Sequence, residues 1–184
     1  MRMVAPVYYS ADMVRAMPDD GNRYETVFGE LIVSPAPRPR HQVVHARLFG
    51  ALHIYLQGEP IGTVLSSPAD LSFGRDDVLV QPDLWVARTG ELRHERWDRI
   101  GRLVLAIEIL SPSSERHDRF TKRRLYQQLG ADEYWVVDAE RGFIEVWRPD
   151  DRFPVVVDDV LTWSPAGSST PLRLEIAPLL AREG

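Results

Sequence analysis

Two acids and one lysine stand where ordinary folding gives no reason for them. Glu108 interrupts the apolar run Leu103 to Leu110, and strand alternation sets it on one face with Val104, Ala106 and Leu110. An ionised carboxylate in such a strand needs a cation, a hydrogen-bond network or a proton to offset its lost hydration. Asp83 sits in Val78 to Val86 beside Pro82, which cannot donate to a strand ladder and therefore marks an edge or a bulge. Lys122 is the only lysine among 22 basic residues. It shares a helical stripe with Leu125, Tyr126 and Leu129. Each residue also has a plain reading: Glu108 pairs with an arginine, Pro-Asp ends a strand, and Lys122 packs its stem while its head reaches water.

Taken together, two acids and a lysine over a sheet form a device for phosphodiester hydrolysis. The carboxylates are hard oxygen ligands suited to Mg2+, which keeps several waters in its shell. Such an ion polarises the phosphate and lowers the pKa of a bound water, which an ammonium can orient.

These residues depend on the elements around them. Tyr24 to Val33 reads as a hairpin about Phe28-Gly29. After the proline-rich stretch Ser34 to Pro39, the stripe Val44, Leu48, Ala51 and Tyr55 predicts a helix ending near Gly58-Glu59-Pro60. Thr63 to Leu65, Leu71 to Phe73 and Val78 to Val86 are strand candidates, and Leu103 to Leu110 reads as a central strand covered on both faces. A helix capped by Ser113 or Ser114 runs to about Leu129, with Gly130 at its left-handed end. Glu133 to Val137 and Phe143 to Arg148 follow as a hairpin, and the proline-punctuated tail reads as irregular. The order ββ-α-βββ-α-ββ predicts an α/β (α+β) fold with a mixed central sheet. A single domain over 1–184 is expected, with its core at 23–148 and the 149–184 tail packed upon it.

Composition removes other chemistries. Without cysteine there is no disulfide, thiolate metal site or thiol nucleophile. His41 and His45 have zinc-helix spacing but lack the adjacent glutamate of metalloproteases. Ser111, Ser113 and Ser114 lack a nucleophile-elbow setting, and no phosphate-cradling glycine loop or nucleotide cofactor motif is present. Met1 to Asp20 lacks the run of about 7–15 apolar residues of a secretory leader, and no stretch nears the roughly 20 that span a bilayer. The expectation is a cytoplasmic protein with no membrane partner. A net charge of −5 argues against a broad cationic surface, although arginines can still line one groove.

The chain resembles Uma2-type proteins (DUF820), a bacterial group of the PD-(D/E)XK nuclease superfamily. The likeness runs through Tyr24-Glu25…Gly29-Glu30-Leu31, Ser34-Pro35-Ala36-Pro37…His41 and Gln81-Pro82-Asp83-Leu84. It continues in Glu108-Ile109-Leu110-Ser111-Pro112-Ser113-Ser114, Asp118…Lys122…Tyr126, Gly130 and Glu133 to Asp138. The resemblance implies a restriction endonuclease-like core with an N-terminal hairpin, and a Mg2+-dependent (or Mn2+-dependent) endonuclease acting on DNA. Asp83 and Glu108 would be the metal ligands and, with Lys122, the catalytic set. The superfamily lysine two residues after the second acid is replaced here by Leu110, which nominates Lys122 from the next helix. Glu30, His41, Asp118 and Tyr126 are further candidates, Glu30 as an extra acid and His41 as a phosphate contact. Two alternatives stay open: an inactive nuclease-fold protein that binds nucleic acid or a protein partner, and a homodimer built through the aromatic strands Glu133 to Val137 and Phe143 to Arg148.

Overall fold

The computed structural model describes residues 8–183. The first seven residues, part of the stretch read as lacking a leader, lie outside the described residues. Among the described residues no helix is long and apolar enough to cross a membrane.

A short helix α1 (Ala11–Arg15) precedes the hairpin of β1 (Arg23–Val27) and β2 (Glu30–Ser34). Val27 pairs with Glu30 across Phe28 and Gly29, whose φ values of 56° and 79° are those of a two-residue type I′ turn. Glycine suits that left-handed position. Phe28 also occupies it, and the guanidinium groups of Arg75 and Arg124 lie 5.5 and 5.4 Å from its ring. Helix α2 (Pro39–Gly58) begins with proline in its first turn, where a missing N–H leaves no helical bond unmade. Its buried stripe is Val44, Leu48, Leu52 and Leu56, with Ala51 and Tyr55 packed at the flank rather than at the centre.

The chain then adds β3 (Gly62–Ser66), β4 (Val78–Leu79), β5 (Leu84–Arg88) and β6 (Leu103–Ile109). The expected strand Leu71 to Phe73 is reduced to one bridge, Leu71 with Val80. The expected strand Val78 to Val86 is two strands, because β4 joins the hairpin sheet β2-β1-β4 while β5 enters the main sheet. Pro82 stands in the connection, so it marks a change of sheet and not a bulge. The bulge lies farther along: Val86 pairs with Leu105 and Ala87 with Leu103, passing over Val104. Val104 therefore packs with the opposite core cluster from Ala106, not on Glu108's face as simple alternation predicts.

After β6 a helical stretch contains a π-helical segment, His117–Lys122, that runs into α3 (Arg123–Gln128). Gly130 takes the left-handed conformation beyond it. Ser114 lies at the start of this stretch, but its Oγ accepts from the Ser111 amide (3.1 Å) instead of capping a later helical amide. β7 (Glu133–Asp138) and β8 (Phe143–Trp147) complete the expected hairpin.

The tail is ordered, contrary to its irregular reading. β9 (Val155–Val157) pairs with β8, β10 (Val160–Trp163) pairs with β11 (Leu172–Glu175), and α4 (Ile176–Leu180) follows. The main sheet has the order β3-β5-β6-β7-β8-β9, with only β6 and β7 parallel. It is a mixed sheet, with α2 and the tail on one face. The hairpin and α3 cover the other. Tyr134, Trp135 and Trp147 are buried in these layers as core, and of the aromatic residues of β7 and β8 Phe143 alone is partly exposed.

Candidate active site

The change of sheet at Pro82 leaves Asp83 just before β5. Extending the Leu84 to Ile107 pairing by one residue sets Asp83 opposite Glu108, and opposed residues in antiparallel strands share a face. Ser67 Oγ donates to the carbonyls of Gln81 and Pro82, at 2.9 and 2.7 Å, fixing the segment that lacks a ladder. Asp83 Oδ2 accepts the Ile109 amide at 2.8 Å and His41 Nε2 at 3.0 Å, while Oδ1 accepts Arg23 Nη1 at 3.0 Å. His45 Nε2 donates to the Asp83 backbone carbonyl at 3.1 Å. His41 and His45, two of the three histidines of α2, are thus spent on one aspartate and do not form a zinc pair. Burial alone raises the Asp83 pKa, but the His41 hydrogen bond, the Arg23 charge and the Ile109 amide together hold it well below the usual carboxylate range.

Beside Asp83 lies an ionic knot around Lys122. Its Nζ is 2.9 Å from Glu108 Oε1, 2.8 Å from Glu25 Oε2 and 3.5 Å from Asp118 Oδ1. All four residues are at most 2% exposed. Glu25 Oε1 also accepts the Gln81 amide at 2.7 Å, joining β1 to the Asp83 segment. Tyr126 Oη lies 3.5 Å from Glu108 Oε1, and Tyr134 Oη donates to the Asp118 carbonyl at 2.9 Å. Lys122 and Asp118 come from the π-helical segment, a wider turn often found at functional sites.

Charge is unbalanced here. Four carboxyl groups, Glu25, Asp83, Glu108 and Asp118, face two permanent cations, Arg23 and Lys122. Burial lowers the Lys122 pKa, but the pull of Glu108, Glu25 and Asp118 outweighs it and keeps the ammonium charged. Glu108 goes the other way: burial first, then Asp118, Asp83 and Glu25, outweigh Lys122 and raise its pKa well above the usual value. Asp118 is raised chiefly by burial as well. The knot thus carries more acid than its two fixed cations balance.

A divalent cation could supply the missing positive charge. Glu108 Oε2 is buried and has no hydrogen-bond partner. The donors are hard carboxylate oxygens, which fit Mg2+ or Mn2+. Among the described residues no three acid or histidine side chains are grouped to ligate one ion together. One or two carboxylates with waters suffice for Mg2+, however, and the unpartnered Glu108 Oε2 beside Asp83 offers such an oxygen.

The structure brings together Asp83, Glu108, Lys122, His41, Asp118 and Tyr126. It does not bring Glu30, which is exposed at the start of β2 and pairs with Val27 at the turn end of the hairpin. The early acid is Glu25, five residues before it. Two signals pointed to Glu25: it shares alternation with buried Val27, and a buried lysine calls for more than one acid. Arg23, two residues before Glu25, is the other member that sequence reasoning missed.

The chain matches the family Uma2, "Putative restriction endonuclease", over residues 11–175. A crystal structure from Anabaena variabilis ATCC 29413, of "a putative nuclease belonging to DUF820", is similar with a TM-score of 0.76 and 23% identity. The similarity covers 95% of this chain and 98% of that one, and it shows a shared fold. No curated protein matches the chain significantly. With most of its length matched, this chain belongs to the Uma2 family.

Proposed function

We propose that this protein is an endonuclease that hydrolyses DNA phosphodiester bonds, with Mg2+, or Mn2+ in its place, held by Asp83 and Glu108. The observation that carries the reading is the chain's one lysine, buried against Glu108 and Glu25 beside Asp83. When bound, the ion would polarise the scissile phosphate and acidify a coordinated water.

The protein's own groups have separable tasks. His41 and the Ile109 amide fix the Asp83 carboxylate, and Arg23 neutralises its other oxygen. Lys122 stays charged, so it orients a water as a donor and does not deprotonate it. Its N–H groups point at carboxylates, and release of Glu108 to a cation would free one of them for that water. Glu25 keeps the ammonium anchored in the meantime.

The test is cleavage of duplex and single-stranded DNA with Mg2+ and Mn2+ by the wild type, Asp83→Ala and Glu108→Ala. Activity lost in both variants supports the reading, and activity retained in either removes it. A second reading, binding without cutting, draws on the absence of a three-ligand group among the described residues. Calorimetry separates the two, because metal uptake that Asp83→Ala abolishes belongs to the enzyme alone.

A further inference from the structure

Two clefts meet beside Asp83. One, of about 520 Å3, reaches from Asp83 toward α1. The other, of about 550 Å3, lies between the start of α2 and the Ser111 to Ser114 turn, and includes Ile109, whose amide holds Asp83. Arg23, Pro35, Ala36, Pro37 and His41 line both, so the two are halves of one trough, and at the junction Arg23 and His41 hold Asp83.

The halves differ in charge. The first sets Arg15 and Arg23 against Asp19, Asp70 and Asp83. The second has Arg23, Arg38, Arg40 and Arg182 against Glu140 alone, in a chain of net charge −5. Arg40 and Arg182 share Glu140, at 3.5 and 2.9 Å. Arg40 is anchored through Nη2 on the carbonyls of Ala139 and Leu180, and its buried Nε and Nη1 have no hydrogen-bond partner. Arg38 is exposed and makes no ion pair or side-chain hydrogen bond among the described residues. It is also the residue that precedes the 20-residue helix α2, whose first turn holds no acid and no side-chain cap, so the positive end of the helix dipole adds to the same cleft. The Ser111 and Ser113 hydroxyls, 3.0 Å apart, face it across the cleft as neutral donors.

We propose that this arginine cleft binds the backbone phosphate next to the scissile one in single-stranded DNA, with the adjoining nucleoside in the first cleft. The word scissile rests on the nuclease reading above; the binding does not. Glu108 and Asp83 are only 0% and 4% exposed, so a phosphate must be drawn inward to meet them. A duplex must bend or kink to bring one phosphate into such a trough, at a deformation cost, whereas a single strand can follow a charged groove without it.

The test measures fluorescence anisotropy of a labelled oligonucleotide of about 12 nucleotides, a length within single-strand site sizes, in EDTA. The wild type is expected to bind it at least tenfold tighter than a hairpin duplex of the same sequence. Arg38→Glu/Arg182→Glu, both at exposed positions, should weaken single-strand binding at least tenfold and flatten the salt slope by about 0.7 for each phosphate that is no longer neutralised. A charge-matched control, Arg152→Glu/Arg173→Glu, should bind as the wild type. Equal affinity for duplex, unchanged binding by the cleft variant, or an equal loss in the control overturns the proposal. Cleavage assays separate the two readings. A protein that never cuts, yet loses single-strand binding in the cleft variant, refutes hydrolysis and keeps the cleft; one whose cleft variant cuts with unaltered KM keeps hydrolysis and refutes the cleft.

Discussion

Lys122 Nζ stands 2.9 Å from Glu108 Oε1, with neither residue more than 2% exposed. The strand and the following helix are thus joined by charge as well as by packing. Replacing Lys122 by methionine leaves three buried carboxyl groups without their counter-charge. Breaking a buried pair from one side typically costs about 3–5 kcal/mol. Urea unfolding of Lys122→Met at neutral pH should show a loss of that order, partly recovered at acid pH where the carboxyl groups protonate. A midpoint equal to the wild type's would remove the knot from the account of stability.

Glu108 has the opposite relation to stability. Its folded-state pKa is raised, so its favourable contribution is complete below its unfolded value, near 4.3, and fades as pH rises through the folded value. In metal-free solution Glu108→Gln should raise the urea midpoint at neutral pH and leave it unchanged near pH 4. Any cleavage should fall on the order of 10² to 10³-fold in the same variant, as when one preorganised electrostatic group is lost. Activity without change would contradict a ligand role.

Asp83 behaves as its mirror image. Its folded pKa is depressed, so its contribution is present above the unfolded value, near 3.9, and is lost as pH falls through the folded one. Asp83→Asn should therefore differ most from the wild type in chemical unfolding at neutral pH and converge with it in strong acid. His41→Ala should narrow that difference, since His41 supplies the largest of the effects that lower the Asp83 pKa.

Far from the site, Glu59 fastens the tail to the end of α2. Its carboxylate accepts from the amides and hydroxyls of both Ser169 and Thr170, at 2.7 to 2.9 Å, and its pKa falls from 4.5 to about 2. Stability from this clamp is present above pH 4.5 and disappears as pH drops to about 2. Amide exchange near Ser169 and Thr170 should quicken over that window, and at neutral pH in Glu59→Ala. Unaltered exchange in the variant would show that the clamp does not hold the loop.

Gly62 tests the edge of the main sheet. A Cβ there would lie 2.0 Å from the Ala87 carbonyl oxygen, and both partners are backbone. Gly62→Ala should destabilise the protein by about 3 kcal/mol, the upper end for overpacking. A thermal midpoint within a degree or two of the wild type's would mean that β3 yields easily.

Much of this was legible from residue patterns, and the exceptions share a cause. The hairpin at Phe28-Gly29, the buried strand around Glu108 and the lysine stripe follow local periodicity, which the chain states directly. Pro82 was legible as an interruption but not as a change of sheet, because sheet membership is a long-range property. The tail strands have three or four residues between prolines, too short for a period to register. At the site, Asp83, Glu108 and Lys122 stood out because each violates its own surroundings. Arg23 did not, and Glu25 only through its alternation with Val27, since charged residues in a short hairpin are ordinary until that hairpin covers an acid and a lysine. The passing over of Val104 was equally hidden, for a bulge shows only in the partner strand's pairing.

The knot around Lys122 draws Glu25 from the first hairpin, Glu108 from a central strand and Asp118 from the helical stretch, so no single element contains it. During synthesis Glu25 is made long before Lys122, and its Oε2 meets the ammonium only when the helix folds back over β6. A nascent or partly opened molecule, whose hairpin has not closed over the helix, therefore lacks the Glu25 contact of the ammonium. Assembly of the whole fold serves as the safety catch on whatever this acid cluster does.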